Sequence, residues 1–418
     1  MDLSKEQEDA FILFKEFVDH GETKVTLPHD KMFLLTGCAG SGKSFLTRIL
    51  VEYIVNMGKS ICVLAPTHKA LGVIKGYLGD VDVEYNTIAK FLFKKQVFMD
   101  NGQVNFIRDS NLFMKNKYDY LFIDEASMVD ADDFHCFTLL RSKVVFIGDS
   151  YQLPPVGESN SIVFDHVVNV AKLTGTIRTN HNSLQNVYDK FRQHVYNNCD
   201  LELESGEQVQ IYDTKNDFFK CISENFVGDG SCKIIAYRNV MVDMYNQYVR
   251  KKLFNTDELY MPGEQLIFTQ NYSDEYTNNT EVVVSSVELI QQVHPNTRVY
   301  WVYKLTLTDD NVLYKVAPQS KKAYDEYFYD MLYDIKRSVA KNKSKKWAKY
   351  YQYLYTFDPP IAYGYALTAY KSQGSTIATT FIDLDDVFHS MVDKDELVMK
   401  KAMYTSITRA SEKLYILL

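Results

Sequence analysis

The run Gly37-Cys38-Ala39-Gly40-Ser41-Gly42-Lys43-Ser44 fits the spacing G-x-x-x-x-G-K-[ST], with a short apolar stretch before it and a helical pattern after it. Glycines at those positions let backbone N–H groups close around phosphates, which then sit at the positive end of a helix. Lys43 supplies a mobile charge for the β- and γ-phosphates, and the Ser44 hydroxyl is a candidate Mg²⁺ ligand. Further on, Asp124-Glu125 follows a second apolar stretch. Adjacent carboxylates repel one another unless a cation lies between them or their roles differ. The natural division gives Asp124 the metal ion and Glu125 the water that attacks. Together these residues point to Mg²⁺-dependent hydrolysis of a nucleotide, with ATP the expected one.

Other residues could join that site. Gly148-Asp149-Ser150-Tyr151-Gln152-Leu153-Pro154-Pro155 leaves another apolar run, and the Gln152 amide could touch a γ-phosphate. Arg178 and Arg409 lie outside the first α/β unit, where arginines from a neighbouring domain often meet transition-state charge. A solvated surface arginine is the plain alternative for each. Ser4-Lys5-Glu6-Gln7 has the form of a capping box that starts a helix. Gln7 could instead read an adenine edge, but the local sequence favours the cap.

The elements that must carry these residues are legible as short apolar runs: Met32–Leu35, Ile61–Leu64, Tyr120–Ile123, Val144–Ile147, Ile234–Tyr237, Phe381–Leu384 and Leu414–Leu417. Helical patterns such as Phe45–Val55 alternate with them. Alternating strands and helices predict parallel sheets covered on both faces, with ligands beyond the carboxyl ends of the strands. Two stretches break the pattern. Val97–Asp100 and Gln103–Phe106 flank Asn101-Gly102, which predicts a β-hairpin with a two-residue turn inserted in the first α/β unit. From Gly263 to Tyr355 the chain is first β-rich (Gln265–Thr269, Glu281–Ile290, Val299–Thr308, Val312–Val316). Then the stripe Tyr324, Tyr327, Phe328, Met331, Leu332, Ile335 predicts an amphipathic helix facing the core.

Composition sets the outer limits. At 418 residues the chain suits two to four domains. No apolar run approaches the roughly 20 residues of a membrane span, so a cytoplasmic protein (host cytoplasm, if viral) is expected. The six cysteines are scattered without zinc spacing, which suits reduced thiols. A net charge of −8 argues against a passive polyanion binder but leaves room for local basic patches.

Taken in order, the motifs resemble those of superfamily 1 helicases, in particular the 5′-to-3′ branch with RecD-like and Pif-type enzymes. The series is Gln7, Gly37–Ser44, Ala65–Ala70, Asn86-Thr87-Ile88, Asp124–Met128, Gly148–Pro155, Leu173–Arg178, Leu367–Ser375 and Tyr404–Ala410, spanning essentially the whole chain. The resemblance implies two RecA-like P-loop domains, residues 1–172 and 173–262 with 356–418. It makes residues 90–110 a strand-separating pin and 263–355 an SH3-like β module with a helical extension. It implies that Gln7 contacts adenine, a use compatible with the cap, and that Gly374 adjoins the nucleotide. Lys43, Glu125, Gln152, Arg178 and Arg409 take the catalytic roles argued above. Pro66, Thr67, His68, Asn86, Thr87, Phe98, Pro155, Thr368, Tyr370, Lys371 and Gln373 would meet DNA.

The chain departs from the family pattern at Ala89 and Tyr370, where histidine is usual, and at Ile177, where a related branch has a stacking tyrosine. The implied partners are single-stranded DNA, single/double-strand junctions, a single-strand-binding protein and replisome components, with a monomer expected. The implied activity is 5′-to-3′ translocation with duplex unwinding. A translocase that strips proteins, a P-loop phosphotransferase and a nucleotide-gated binder are the competing readings. Phe98 and Met99 are the candidate wedges, although strand alternation could aim Phe98 at the domain surface. The acid-free run from Lys336 to Lys349 reads either as a phosphate-contacting arm or as a solvated face whose aromatics pack on the β module.

Overall fold

The structure, a computed structural model, describes residues 3–20, 28–98, 104–108, 116–175, 183–197, 201–273, 275–338, 340–391 and 395–418. The chain divides into two compact units: residues 1–93, 109–242 and 367–418 in one, residues 94–108 and 243–366 in the other.

The first unit holds two sheets. One has the order β3-β2-β6-β7-β1-β8. Its strands are β1 (Met32–Gly37), β2 (Ile61–Ala65), β3 (Glu84–Thr87), β6 (Tyr120–Ile123), β7 (Lys143–Gly148) and β8 (Asn169–Leu173). Every pairing in it is parallel. The central strands β1, β2 and β6 are buried along their whole length, as continuous apolar runs covered on both faces require. One core layer is built by Phe14, Phe33, Leu50, Ile54 and Phe122, the other by Leu34, Leu64, Phe134, Phe137 and Phe146. The second sheet has the order β16-β10-β17-β18-β9. It comprises β9 (Val209–Tyr212), β10 (Cys232–Ala236), β16 (Ala366–Thr368), β17 (Ile377–Asp383) and β18 (Ala410–Leu417). Strands β10, β17, β18 and β9 run parallel. The helices Ser183–Asn197 and Glu396–Ile407 cover it through Leu184, Phe191, Met399 and Met403.

The second unit is built on an antiparallel sheet in the order β14-β13-β12-β11-β15. Its strands are β11 (Gln265–Phe268), β12 (Glu281–Val293), β13 (Val299–Leu307), β14 (Val312–Val316) and β15 (Ile361–Tyr363). One end closes over Leu266, Phe268, Val284, Leu305 and Leu313. The helices Pro318–Arg337 and Ala340–Phe357 pack on the other end through Tyr324, Phe328, Ile335, Trp347, Tyr350 and Phe357. The predicted stripe is therefore core, and the Trp347 and Tyr350 side chains point inward. His294, buried among these rings, accepts at Nδ1 from the Asn296 N–H and meets the Tyr353 carbonyl through Nε2 at 2.8 Å. That pair of contacts selects the neutral tautomer with its proton on Nε2.

The hairpin consists of β4 (Lys94–Phe98) and β5 (Val104–Arg108), and it groups with this second unit, where β4 lies against the Ala340–Phe357 helix. Phe98 pairs with Val104, whereas a two-residue Asn101-Gly102 turn would pair Phe98 with Asn105. The turn itself, including Met99, Asn101 and Gly102, lies outside the described residues.

Candidate active site

Strand β1 delivers the loop Gly37–Ser44 at its carboxyl end, and the helix Lys43–Asn56 leaves from it. Gly42 caps that helix in the left-handed region (φ 83°), a conformation that a Cβ would penalise. The Lys43 ammonium lies back over its own loop, donating to the Gly37 and Cys38 carbonyls at 2.7 and 2.8 Å. Behind the loop, Gln7 is buried and realises the capping box: it accepts from the Ser4 N–H, and its own N–H meets the Ser4 hydroxyl. Its side-chain amide also donates to the Gly42 carbonyl at 3.3 Å, so the cap and the phosphate loop share one residue. Glu6, one position earlier, holds the Thr174 and Gly175 N–H groups at 2.9 Å. The Thr174 hydroxyl, which also donates to it, and these backbone bonds hold its carboxyl below the usual range.

Asp124 and Glu125 follow β6, half-buried beside Lys43. Burial pushes both carboxyls above their ordinary values; the charge of Glu125 adds to the effect on Asp124, while Arg409 and Lys43 counter it at Glu125. Glu125 takes a left-handed backbone (φ 54°) to start the turn Ala126–Met128. Strained non-glycine backbone of this kind costs on the order of 1–3 kcal/mol and gathers at functional sites. Gly148 makes that turn possible, since a Cβ there would fall 2.9 Å from the Ala126 Cβ.

Gly374, Ser375 and Arg409, all from the second sheet's side, line the same cavity of about 360 Å³ as Lys43, Ser44, Asp124 and Glu125. Arg409 is buried and donates to the Thr405 and Ser375 carbonyls at 2.9 and 3.3 Å. Gly374 faces Glu125 closely enough that a Cβ on it would lie 3.6 Å from Oε1. The segment from Asp149 to Leu153 ties the two sides together. Gln152 donates to Asp149 at 3.4 Å, the Leu153 N–H meets the Thr405 hydroxyl at 2.9 Å, and Gln373 donates to the Leu153 carbonyl at 2.9 Å. Gln373 is consequently buried, facing this joint.

Sequence reasoning missed Tyr404 as an individual side chain. Its hydroxyl donates to Asp149 Oδ2 at 3.0 Å and accepts from the Ala39 N–H of the phosphate loop at 3.3 Å. Its place in the last motif was the only signal, because an aromatic within a helix reads as core. Arg192, also missed, donates to the Cys38 sulfur at 3.0 Å. Arg178 lies outside the described residues.

The other motif residues sit at strand ends. Thr67, Thr87 and Thr368 share one local task, each capping the helix that follows by accepting the N–H of Ala70, Lys90 or Lys371 at 3.1, 3.3 and 3.2 Å. His68 is exposed; Pro66, Asn86, Pro155, Tyr370 and Lys371 are half-buried. Tyr370 packs on the second sheet's core. Phe98 is described by its backbone pairing alone.

A buried cation sits at the same joint. Lys401 is 1 % exposed and donates to Asn160 Oδ1 at 2.9 Å, over the Tyr196 ring. Burial pulls its ammonium down to about 8, against the attraction of Asp165, Asp149 and Asp395. Because the folded value lies below the unfolded one, the cost of the charge is fully present below pH 8. It fades as pH rises from there toward the ordinary lysine range. Lys401→Met is expected to raise stability at pH 7 by about 1–3 kcal/mol, with the gain shrinking by roughly 1.4 kcal/mol per pH unit above 8. Denaturant titrations of both proteins at pH 7 and pH 9.5 check this, and an unchanged or larger gain at the higher pH would refute it.

The residues present fit a magnesium nucleotide. The Ser41 and Ser375 hydroxyls and the Gln152 side-chain amide oxygen Oε1 are buried without partners among the described residues, and the raised carboxyl pair would be relieved by a divalent cation.

Comparisons with known proteins agree with this geometry. The family description "AAA domain" matches residues 23–214. An uncharacterized protein of Acanthamoeba polyphaga mimivirus is 26% identical, covering 92% of this chain and 94% of its own length. The ATP-dependent DNA helicase dda of Enterobacteria phage T4 is 23% identical, covering 98% of this chain and 97% of its own length. Among solved structures, a Bacteroides Pif1 helicase in complex with ADP-AlF3 and single-stranded DNA aligns over all of this chain and 92% of its own. Its TM-score is 0.51 at 17% identity. The resemblance read from the motifs is borne out, and so is the fold: parallel-sheet α/β domains with an antiparallel β module.

Proposed function

We propose that this chain is an ATP-dependent DNA helicase that moves 5′ to 3′ along single-stranded DNA. The observation that carries this reading is the shared cavity, where the phosphate loop and carboxylates of the first sheet face Gly374 and Arg409 from the second. A site divided in this way couples hydrolysis to relative motion of its two sides. The likeness to dda and Pif1 over almost the whole chain supports DNA as the track.

On this reading Lys43 exchanges its two carbonyl partners for β- and γ-phosphate oxygens, and Ser44 with Asp124 would hold Mg²⁺. The ion, when bound, supplies neutralising charge on the phosphates. Glu125 orients and deprotonates the attacking water, Gln152 senses the γ-phosphate, and Arg409 with Arg178 meets the developing charge. Gln7 adds an adenine contact beside its capping bonds. Leu153, bonded to both Thr405 and Gln373, passes the movement of Gln152 to the motif Leu367–Ser375. Pro66, Thr67, His68, Asn86, Thr87, Pro155, Thr368, Tyr370 and Lys371 line the strand and are stepped along its backbone with little sequence preference. The hairpin is the pin that splits the duplex, with Phe98 or Met99 at its edge.

The decisive experiment offers matched duplexes with a 5′ or a 3′ single-stranded tail, with ATP and Mg²⁺. Unwinding of the 5′-tailed substrate alone is expected. Preference for the 3′ tail would overturn the direction. Absence of unwinding on both, with ATP turnover still stimulated by single-stranded DNA, would favour the protein-stripping translocase.

A further inference from the structure

We infer that the exposed basic face of the Ala340–Phe357 helix is a docking surface for the phosphate backbone of double-stranded DNA. This rests on the helicase reading above and adds a second nucleic-acid contact to it, outside the strand-lining motifs.

Seven basic residues and no acid stand between Lys336 and Phe357, in a chain whose net charge is −8. The carboxylates of the helical arm, Asp325, Glu326, Asp330 and Asp334, are all in its first helix. Charges meant only for solubility are interspersed, not segregated. The fold fixes where the cations point. Trp347 and Tyr350 are buried in the module's core, which leaves Lys345, Lys346 and Lys349 exposed and Lys343 half-exposed. Among the described residues no ion pair involves them. The nearby carboxylates Asp358, Asp325 and Glu288 are taken by Lys315, Lys321 and Lys304. Lys345 and Lys349 also stand one turn apart, a like-charge spacing that costs an isolated helix a few tenths of a kcal/mol.

The occupant follows from what the face lacks. Single strands are bound by combining cations with aromatic faces on which bases stack. Here Trp347 and Tyr350 are used up in the core, the Tyr353 ring carries Lys349 at 5.0 Å, and the Tyr333 ring carries Arg337 at 5.2 Å. What remains on this helix is charge with no exposed ring beside it, the chemistry of sequence-independent contact with a duplex backbone. The same helix lies against strand β4 of the hairpin, so a duplex arriving at the pin meets the cations beside it.

The test measures binding of the full chain to a blunt duplex and to a single strand across a salt series, for wild type and for Lys343→Gln, Lys345→Gln, Lys346→Gln, Lys349→Gln combined. Each lost phosphate contact removes about 0.9 from the slope of log K against log salt. The duplex slope should therefore become shallower by about 3–4, while single-strand-stimulated ATP turnover stays unchanged. The four Lys→Arg changes should restore the slope. An unchanged duplex slope in the glutamine variant overturns the inference, and so does selective loss of binding to an acidic peptide. A wild type without single-strand-stimulated ATP turnover would instead refute the helicase reading, and the duplex slope would still report on the arm.

Discussion

Glu125→Gln is expected to lower single-strand-stimulated ATP turnover by roughly 10²–10⁴-fold, the usual contribution of a positioned general base. The substitution keeps the side chain's size and its place opposite Gly374, and it removes only the proton acceptor. It also removes one of two carboxylates that burial holds above their ordinary values, and with it the charge that adds to the effect on Asp124. Nucleotide affinity should accordingly be preserved or improved, in contrast to Lys43→Ala, which deletes the charge that meets the phosphates. Steady-state turnover, together with equilibrium binding of a fluorescent ATP analogue, separates the two effects. Turnover within about tenfold of wild type would exclude Glu125 as the base. A pH signature accompanies this. With folded-state values above the unfolded ones, the pair stabilises the fold most below the ordinary carboxylate range. That contribution is lost as pH rises through the raised folded values. The glutamine variant should flatten that decline.

The second large effect concerns the hairpin. Replacing residues 98–104 by a minimal turn is expected to abolish strand separation while sparing ATP turnover and movement along a single strand. Stacking averages about 1.4 kcal/mol per base-pair step, close to tenfold in an equilibrium constant, so a junction without a wedge recloses after each step. Unwinding of a forked duplex and displacement of a bound protein from a single strand give the two readouts. Equal loss of both would mean that the hairpin serves the motor itself. Phe98→Ala and Met99→Ala then identify the wedge. The comparison is needed because neighbouring residues of a strand face opposite sides, so only one of the two meets the junction.

What could be foreseen tracks burial. The central parallel strands β1, β2, β6 and β7 are nearly continuous apolar runs, because both faces are covered, and they stand out in the sequence. The edge strands β3, β8 and β9 carry polar residues such as Glu84, Asn86 and Lys172, so no run marks them. The Asn101-Gly102 pair identified the hairpin but not its register, which pairing further down the strands decides. At the site, the phosphate loop and the carboxylate pair are local in sequence and were readable from spacing and chemistry. Gln7 had two readings, and the fold realises the cap while also tying it to Gly42. The joint formed by Tyr404, Asp149, Leu153 and Gln373 was invisible, since its partners are more than two hundred residues apart and no local pattern links them. The basic run kept two readings at the level of sequence. The fold assigns its aromatics to the core and its cations to the surface.

The threonine caps carry a consequence for how this protein would fail. Two of the turns they start, Ile88–Phe91 and Ala369–Ser372, are single helical turns. A lone turn has no cooperative stability of its own and persists through its cap and its packing. The segments proposed to touch the strand thus depend on one cap each and on the burial of Ile88, Phe91, Ala369 and Ser372. On warming, they should melt locally while both sheets remain intact. Coupling between hydrolysis and stepping would be lost before the fold is, leaving an ATPase that turns over without moving.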